Sequence, residues 1–467
     1  HSMLDGMEYP AAKAVLNFLD KWEPQKAEEN NLVAQYAKEI LSGANMVFRF
    51  NGGYVHDDPQ LASVWQKANA KQKDNIGQCL VTGALDEIQK THPTIKGVQG
   101  AQSSGAALVS FNASAFCSYN KEQNQNAPVG KYAAFAYTTA LNHLLADRKN
   151  VHRIGDAAVV CWAENADKQY EDFAAEVFFG DNVDKSDEQR LSALRTSLKL
   201  LADGLPCKEM DLDPDRKFYI LGLSPNAARL AVRFFYCDSF GKIAGNIYKH
   251  HERLEIVRPS YDKFPILPLW KLLSATVNPN AKDKTPNAAM AGAVARAVFS
   301  GGRYPASLLE CTFLRIKAER NITRERAAII KAYYLRNPNE KCPKEVLTVS
   351  LNENSKNIPY TLGRLFSVYE EIQQAANPGI NTTIKDRYFG SAAAMPATVF
   401  PILSNLAQKH LRKLSDAQRV YLDKKVMTLK SVLGEQYPAH MSLPEQGSFD
   451  LGYYHQTQAR YTKKEDK

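Results

Sequence analysis

The spacing of apolar residues changes character near residue 238. Before it, helical and strand patterns alternate. Residues 11–21 (AAKAVLNFLDK) and 31–42 (NLVAQYAKEILS) place apolar positions at helical spacing. Residues 46–55 (MVFRFNGGYV) read as two short strands around an Asn-Gly-Gly turn. The stretches 76–82, 106–112 (AALVSFN), 157–163 (AAVVCWA), 217–223 and 229–237 read as strands, with helices expected at 131–148, 167–179 and 187–204. After residue 238 helical patterns take over, at 240–256, 267–276, 287–300, 305–319, 323–336, 360–376, 398–414, 416–433 and 444–461. Pro and Gly punctuate them, and the polar stretch 337–357 reads as a linker. The pattern predicts an α+β protein in three parts. These are a mixed body over 1–238, a helical region over 239–345 and a C-terminal helical bundle over 346–467.

Charge sharpens this division. The 467 residues carry a net charge of +9, but residues 216–467 alone hold 38 Lys/Arg against 21 Asp/Glu. A long basic half suits a polyanion, because each cation set against a phosphate releases counterions. A merely solvated basic surface is the plainer alternative. Seven scattered cysteines without a C-x-x-C pair read as reduced thiols of a cytoplasmic protein and argue against zinc. No apolar run reaches the length of a membrane helix, and His1-Ser2-Met3 reads as a cloning remnant.

Catalytic patterns are not found in the sequence. GAQSSG misses the spacing of a nucleophile elbow, and FSGGRYP lacks the Lys-Ser/Thr of a phosphate loop. Adjacent His250 and His251 point about 100° apart on a helix and rarely share an ion. The acidic run 211–215 reads as a turn. Asp211, Asp213 and Asp215 are nonetheless the carboxylates that a metal-dependent nucleic-acid-processing enzyme would use. No cofactor and no metal site is expected.

Two basic helices stand out instead. Residues 314–336 include Arg315, Lys317, Arg324 and Arg326; residues 408–430 include Arg412, Lys413, Arg419, Lys424 and Lys425. Both are candidates to track a phosphate backbone. A polar loop, GVQGAQSSG (97–105), precedes the expected strand at 106–112. Its amides suit base edges and its glycines suit close backbone approach, although its spacing by itself favours a mobile surface loop.

Long segments carry a resemblance that favours the nucleic-acid reading. GAQSSGAALVSFNASAFCSY, NAPVG (126–130), AFAYTTALNHLL (134–145), FYILGLSPNAARLAVRFF (218–235), residues 304–337, residues 375–414 and PAHMSLPEQGSFDLGYYHQ (438–456) resemble the large subunit of the type I-C CRISPR surveillance complex, Cascade (the Csd family). The similarity runs from about residue 11 to residue 456. Relative to that family pattern, an N-terminal segment is expected to be missing from this chain.

The resemblance implies a non-catalytic subunit that recognises a protospacer-adjacent motif (PAM) in double-stranded target DNA. It also implies help in strand opening and recruitment of the helicase-nuclease, while guide RNA pairing reads the rest. Gln99, Gln102, Ser103, Ser104, Asn112 and Ser114 become base-edge or wedge candidates, Lys121 and Lys131 phosphate contacts, and Asn226 with Arg229 a second polar patch. The bundle resembles the family's small subunit and would line the displaced single strand. Implied partners are the other Cascade subunits, guide RNA held through the complex, and a phage anti-CRISPR protein on the DNA-binding face; no membrane is among them. A protein-binding scaffold with a basic surface is the remaining alternative.

Overall fold

The structure is a computed structural model that describes residues 1, 3–41, 46–69, 75–147, 151–180 and 188–461. The expected element ends at residues 42, 148 and 187 fall outside these. The fold is α+β with a helical C-terminal region. The chain forms two compact units, residues 1–92 with 110–136, and residues 93–109 with 137–467.

In the first unit, the helix Pro10–Lys21 buries Ala11 and Ala12 in a small cluster with Leu61. Strands β1 (Arg49–Phe50) and β2 (Gly53–Tyr54) form the expected hairpin. The helical pattern over 31–42 breaks at Tyr36 into Asn31–Gln35 and Ala37–Leu41. A second hairpin joins β3 (Ile76–Gln78) to β4 (Leu85–Glu87).

The second unit is built on one antiparallel sheet in the order β5 (His152–Ile154), β6 (Ala157–Ala163), β7 (Lys217–Asn226) and β8 (Arg229–Ser239). Strand residues alternate between faces. Val159, Cys161, Phe218, Ile220 and Phe234 face the main core, where Ile243, Ile247, Val294 and Val298 of the helices Phe240–Leu254 and Ala288–Ser300 meet them. Ala158, Val160, Leu221 and Leu223 face the other way, onto Ile95, Val98, Leu141 and Leu145. Burial on both faces explains why β6 and the first part of β7 read as continuous apolar runs.

One core of buried side chains continues from Ile154 through the helical region to Tyr454. The expected linker 337–357 belongs to it. Cys342, Val346 and Leu347 are buried, so this segment is irregular but packed. In the bundle, helices Ile358–Ala376 and Leu443–Ala459 cross at closest approach, and Asn357 and a Ser442/Glu445 capping box fix their starts. A further helix, Ile384–Ala394, begins at a Thr383/Asp386 capping box.

Candidate nucleic-acid interface

The expected strand at 106–112 does not form. Ala106 and Ala107 make only single bridges, to Ile95 and Arg229. Those bridges tie down the polar loop. Ile95 and Ala106 exchange two backbone hydrogen bonds of 2.9 Å, and Ala107 N donates to Ala228 O at 3.0 Å. Leu230 N donates back to Ala107 O at 2.9 Å, and Gln102 N donates to Ala227 O at 3.2 Å. The loop therefore sits on the β7–β8 turn. Two polar patches expected separately, Gln99 to Ser104 and Asn226 with Arg229, form one surface.

The glycines serve this geometry from inside. Gly105 is buried at φ +103°, and a Cβ there would lie 2.7 Å from the Thr94 hydroxyl. Gly100, at φ +86°, packs on the Pro225 ring. Both need the left-handed region that only glycine enters freely. In the facing turn, Ala227 holds φ +53°, an uncommon state for a residue with a Cβ. Gln102, Ser103, Ser104 and Asn226 stand exposed around the junction. Arg229 is half-buried. Gln99 accepts a 2.7 Å hydrogen bond from Arg153 of β5. Sequence reasoning missed Arg153, because its partner lies 54 residues away in a different element. Neither the loop 93–107 nor the turn 224–230 contains a carboxylate.

The remaining loop candidates belong to the first unit. Asn112, Ser114 and Lys121 are exposed, with Ser114 opening the short turn Ser114–Phe116. Lys131, also expected to hold a phosphate, is half exposed and pairs with Glu87 at 2.5 Å.

The basic helix over 323–336 requires a correction. Arg324 and Arg326, expected on the surface, are buried at 6% and 3% exposure and bond to groups inside the protein. Arg324 pairs with Asp262 at 3.0 Å and donates to the carbonyls of Phe264 and Pro265. Arg326 pairs with Glu319 at 2.6 Å and donates to the carbonyls of Ala275 and Asn321. Lys331, also buried, caps the helix Phe240–Leu254 through Arg253 O at 3.0 Å, and burial lowers its pKa to about 8. Burying a cation costs free energy unless it is paired and hydrogen-bonded; Arg324 and Arg326 have both kinds of partner, whereas Lys331 has, among the described residues, carbonyls alone. The signal lay in Ala327-Ala328-Ile329-Ile330, which is apolar all round a helix and marks a buried one. On the preceding helix, Arg315 lies 3.8 Å from Glu319 and Lys317 is exposed.

The bundle keeps more of its cations outward. Arg412 and Lys413 are exposed just beyond the helix Pro396–Leu411. Lys424 is exposed on the helix Asp416–Lys430, and Arg419 is exposed but tethered to Asp416 at 2.7 Å. Lys425 turns in toward Glu371 at 3.4 Å and lies over the Tyr421 ring.

The acidic run 211–215 is a bonded turn. The Asp213 carboxylate accepts from Asp215 N at 2.9 Å, and Asp213 N donates to the Tyr170 hydroxyl. Among the described residues, no group of three or more His, Cys, Asp or Glu is placed to hold a metal ion. Among them, too, no helix is long and apolar enough to cross a membrane.

Comparison with known proteins agrees with the resemblance read from the sequence. A search of curated proteins finds no match. The family model for CRISPR-associated protein (Cas_Csd1) matches residues 1–461. With nearly the whole chain covered, the protein belongs to the Csd1 family of CRISPR-associated proteins, the large subunits of type I-C Cascade.

Proposed function

We propose that this Cascade subunit reads the PAM in duplex DNA with the junction of loop 97–105 and turn 225–229. The observation that carries the reading is the junction itself. Exposed amide and hydroxyl groups stand on backbone pinned from both sides, with no carboxylate in either segment. Gln and Asn amides can pair bidentately with adenine in the major groove, and serine hydroxyls can serve any base. A pinned loop loses little conformational entropy on docking, so its polar groups work as preorganised contacts.

The bundle 346–467 acts as the small-subunit-like part in this proposal. Arg412, Lys413, Arg419 and Lys424 track the phosphates of the displaced strand without reading sequence. The subunit is non-catalytic, helps strand opening and presents a face to the helicase-nuclease. The test is binding of assembled complex to duplexes carrying a randomised motif. A Gln102→Ala/Ser103→Ala/Asn226→Ala variant is expected to lose motif preference. Unchanged preference would move motif reading elsewhere.

A further inference from the structure

A cleft of about 330 Å³ opens between the segment after the helix Phe240–Leu254 and the bundle. Its volume lies in the range of small-ligand sites, roughly 300–1,000 Å³. Tyr261 and Tyr461 line it and are 83% and 66% exposed. Lys385, Asn321 and Gln458 supply the polar groups, and no carboxylate lines it.

The turn that carries Tyr261 is tied down by hydrogen bonds and ion pairs. Tyr261 sits in a turn closed by Asp262 N donating to Pro259 O at 3.0 Å. The Asp262 carboxylate is gripped by Arg324 at 3.0 Å and Lys271 at 3.2 Å. The preceding residues are fixed by Tyr454, whose hydroxyl donates to Val257 O at 2.7 Å. The Tyr261 ring therefore stands uncovered on a bonded turn. The ammonium of Lys385 has no ion-pair partner among the described residues.

Exposed rings, an unpaired ammonium and amides around one cleft are the groups that recognise a nucleotide. Rings stack on a base, a cation holds its phosphate, and amides meet its edge. We propose that this cleft binds one unpaired nucleotide, the base against Tyr261 and Tyr461 and the phosphate at Lys385. The inference rests on the DNA-binding reading above and adds a base-stacking cleft to it. A nucleotide within a strand is the occupant favoured, because a Cascade family implies nucleic-acid partners.

The test uses the full chain and fluorescence anisotropy with labelled dT12, and with an abasic twelve-mer carrying the same phosphates. Wild type should bind dT12 roughly tenfold more tightly than the abasic strand. Tyr261→Ala and Tyr461→Ala should each reduce that ratio, and together abolish it. Tyr261→Phe and Tyr461→Phe should retain it. Lys385→Ala should weaken both oligomers alike. Free dTMP should displace dT12 only at far higher concentration; equal potency would overturn the strand assignment. If wild type binds both oligomers and the double alanine variant keeps the ratio, the cleft proposal fails while the DNA-binding reading stands. If wild type binds neither oligomer, the cleft proposal and the single-strand phosphate track both fail, while motif reading is decided separately by the duplex titration.

Discussion

Arg324 and Asp262 form a buried 3.0 Å ion pair that joins the helix Arg324–Arg336 to the turn carrying Tyr261. Burial alone would raise the Asp262 pKa, but hydrogen bonds from Phe264 N, Arg324 and Lys271 hold it below the usual carboxylate range. Removing one partner of such a pair leaves a charge uncompensated. Arg324→Ala is therefore expected to cost about 3–5 kcal/mol in urea unfolding. It should leave the salt dependence of DNA binding unchanged at temperatures where the variant is folded. A flattened salt dependence with unchanged stability would return Arg324 to the surface.

The helix crossing in the bundle gives a second prediction. A Cβ on Gly452 would lie 2.1 Å from the carbonyl oxygen of Tyr360, and one on Gly363 1.9 Å from that of Phe449. In an ordinary helix interior, Gly→Ala gains up to about 1 kcal/mol. Here the neighbour is backbone and cannot rotate away. Gly452→Ala should instead destabilise by roughly 1–3 kcal/mol or more, seen as a lower urea midpoint. A raised midpoint would mean that the helices do not meet there.

Histidine burial sets the acid limb of stability. Burial keeps His455 at a pKa of about 3, with Lys331 adding to the effect, and holds His250 well below its ordinary value. Their Nδ1 atoms meet the hydroxyls of Tyr360 at 2.9 Å and Tyr304 at 2.6 Å. Both stay neutral in the native state, whereas the unfolded chain protonates them below about pH 6.5. Stability should thus be full above that pH and fall as pH drops toward 3. Each histidine contributes a slope of about 1.4 kcal/mol per pH unit. His455→Gln should remove one such slope between pH 6 and 4, measured by urea unfolding; an unchanged slope would contradict it.

These residues also show what the sequence could carry. Ala157–Ala163 forms the strand its unbroken apolar run predicts, and the bundle helices lie close to their periodic segments. The segment 106–112 has the alternation of a strand but lies beside a turn, so only single bridges form. The helix Ile384–Ala394 escaped its apolar pattern, although its capping box was visible at Thr383 and Asp386. Arg324 and Lys424 look alike in sequence. Only their distant partners, or the lack of them, separate a structural cation from a surface one. For the same reason the joining of Gln102 to the Ala227 turn was not legible, since it depends on a sheet closed by residues far apart in the chain.

The division between motif reading and phosphate tracking is tested most directly by measuring two variants side by side. Assembled complex carrying Gln102→Ala/Ser103→Ala/Asn226→Ala, or Arg412→Ala/Lys413→Ala/Lys424→Ala, is titrated with the randomised-motif duplexes at several salt concentrations. The first variant should lose motif preference and keep its salt slope. The second should keep its preference and bind all sequences more weakly, with a slope reduced by about 0.7 for each single-strand phosphate contact removed. Loss of preference in the second variant, with preference intact in the first, would contradict the account.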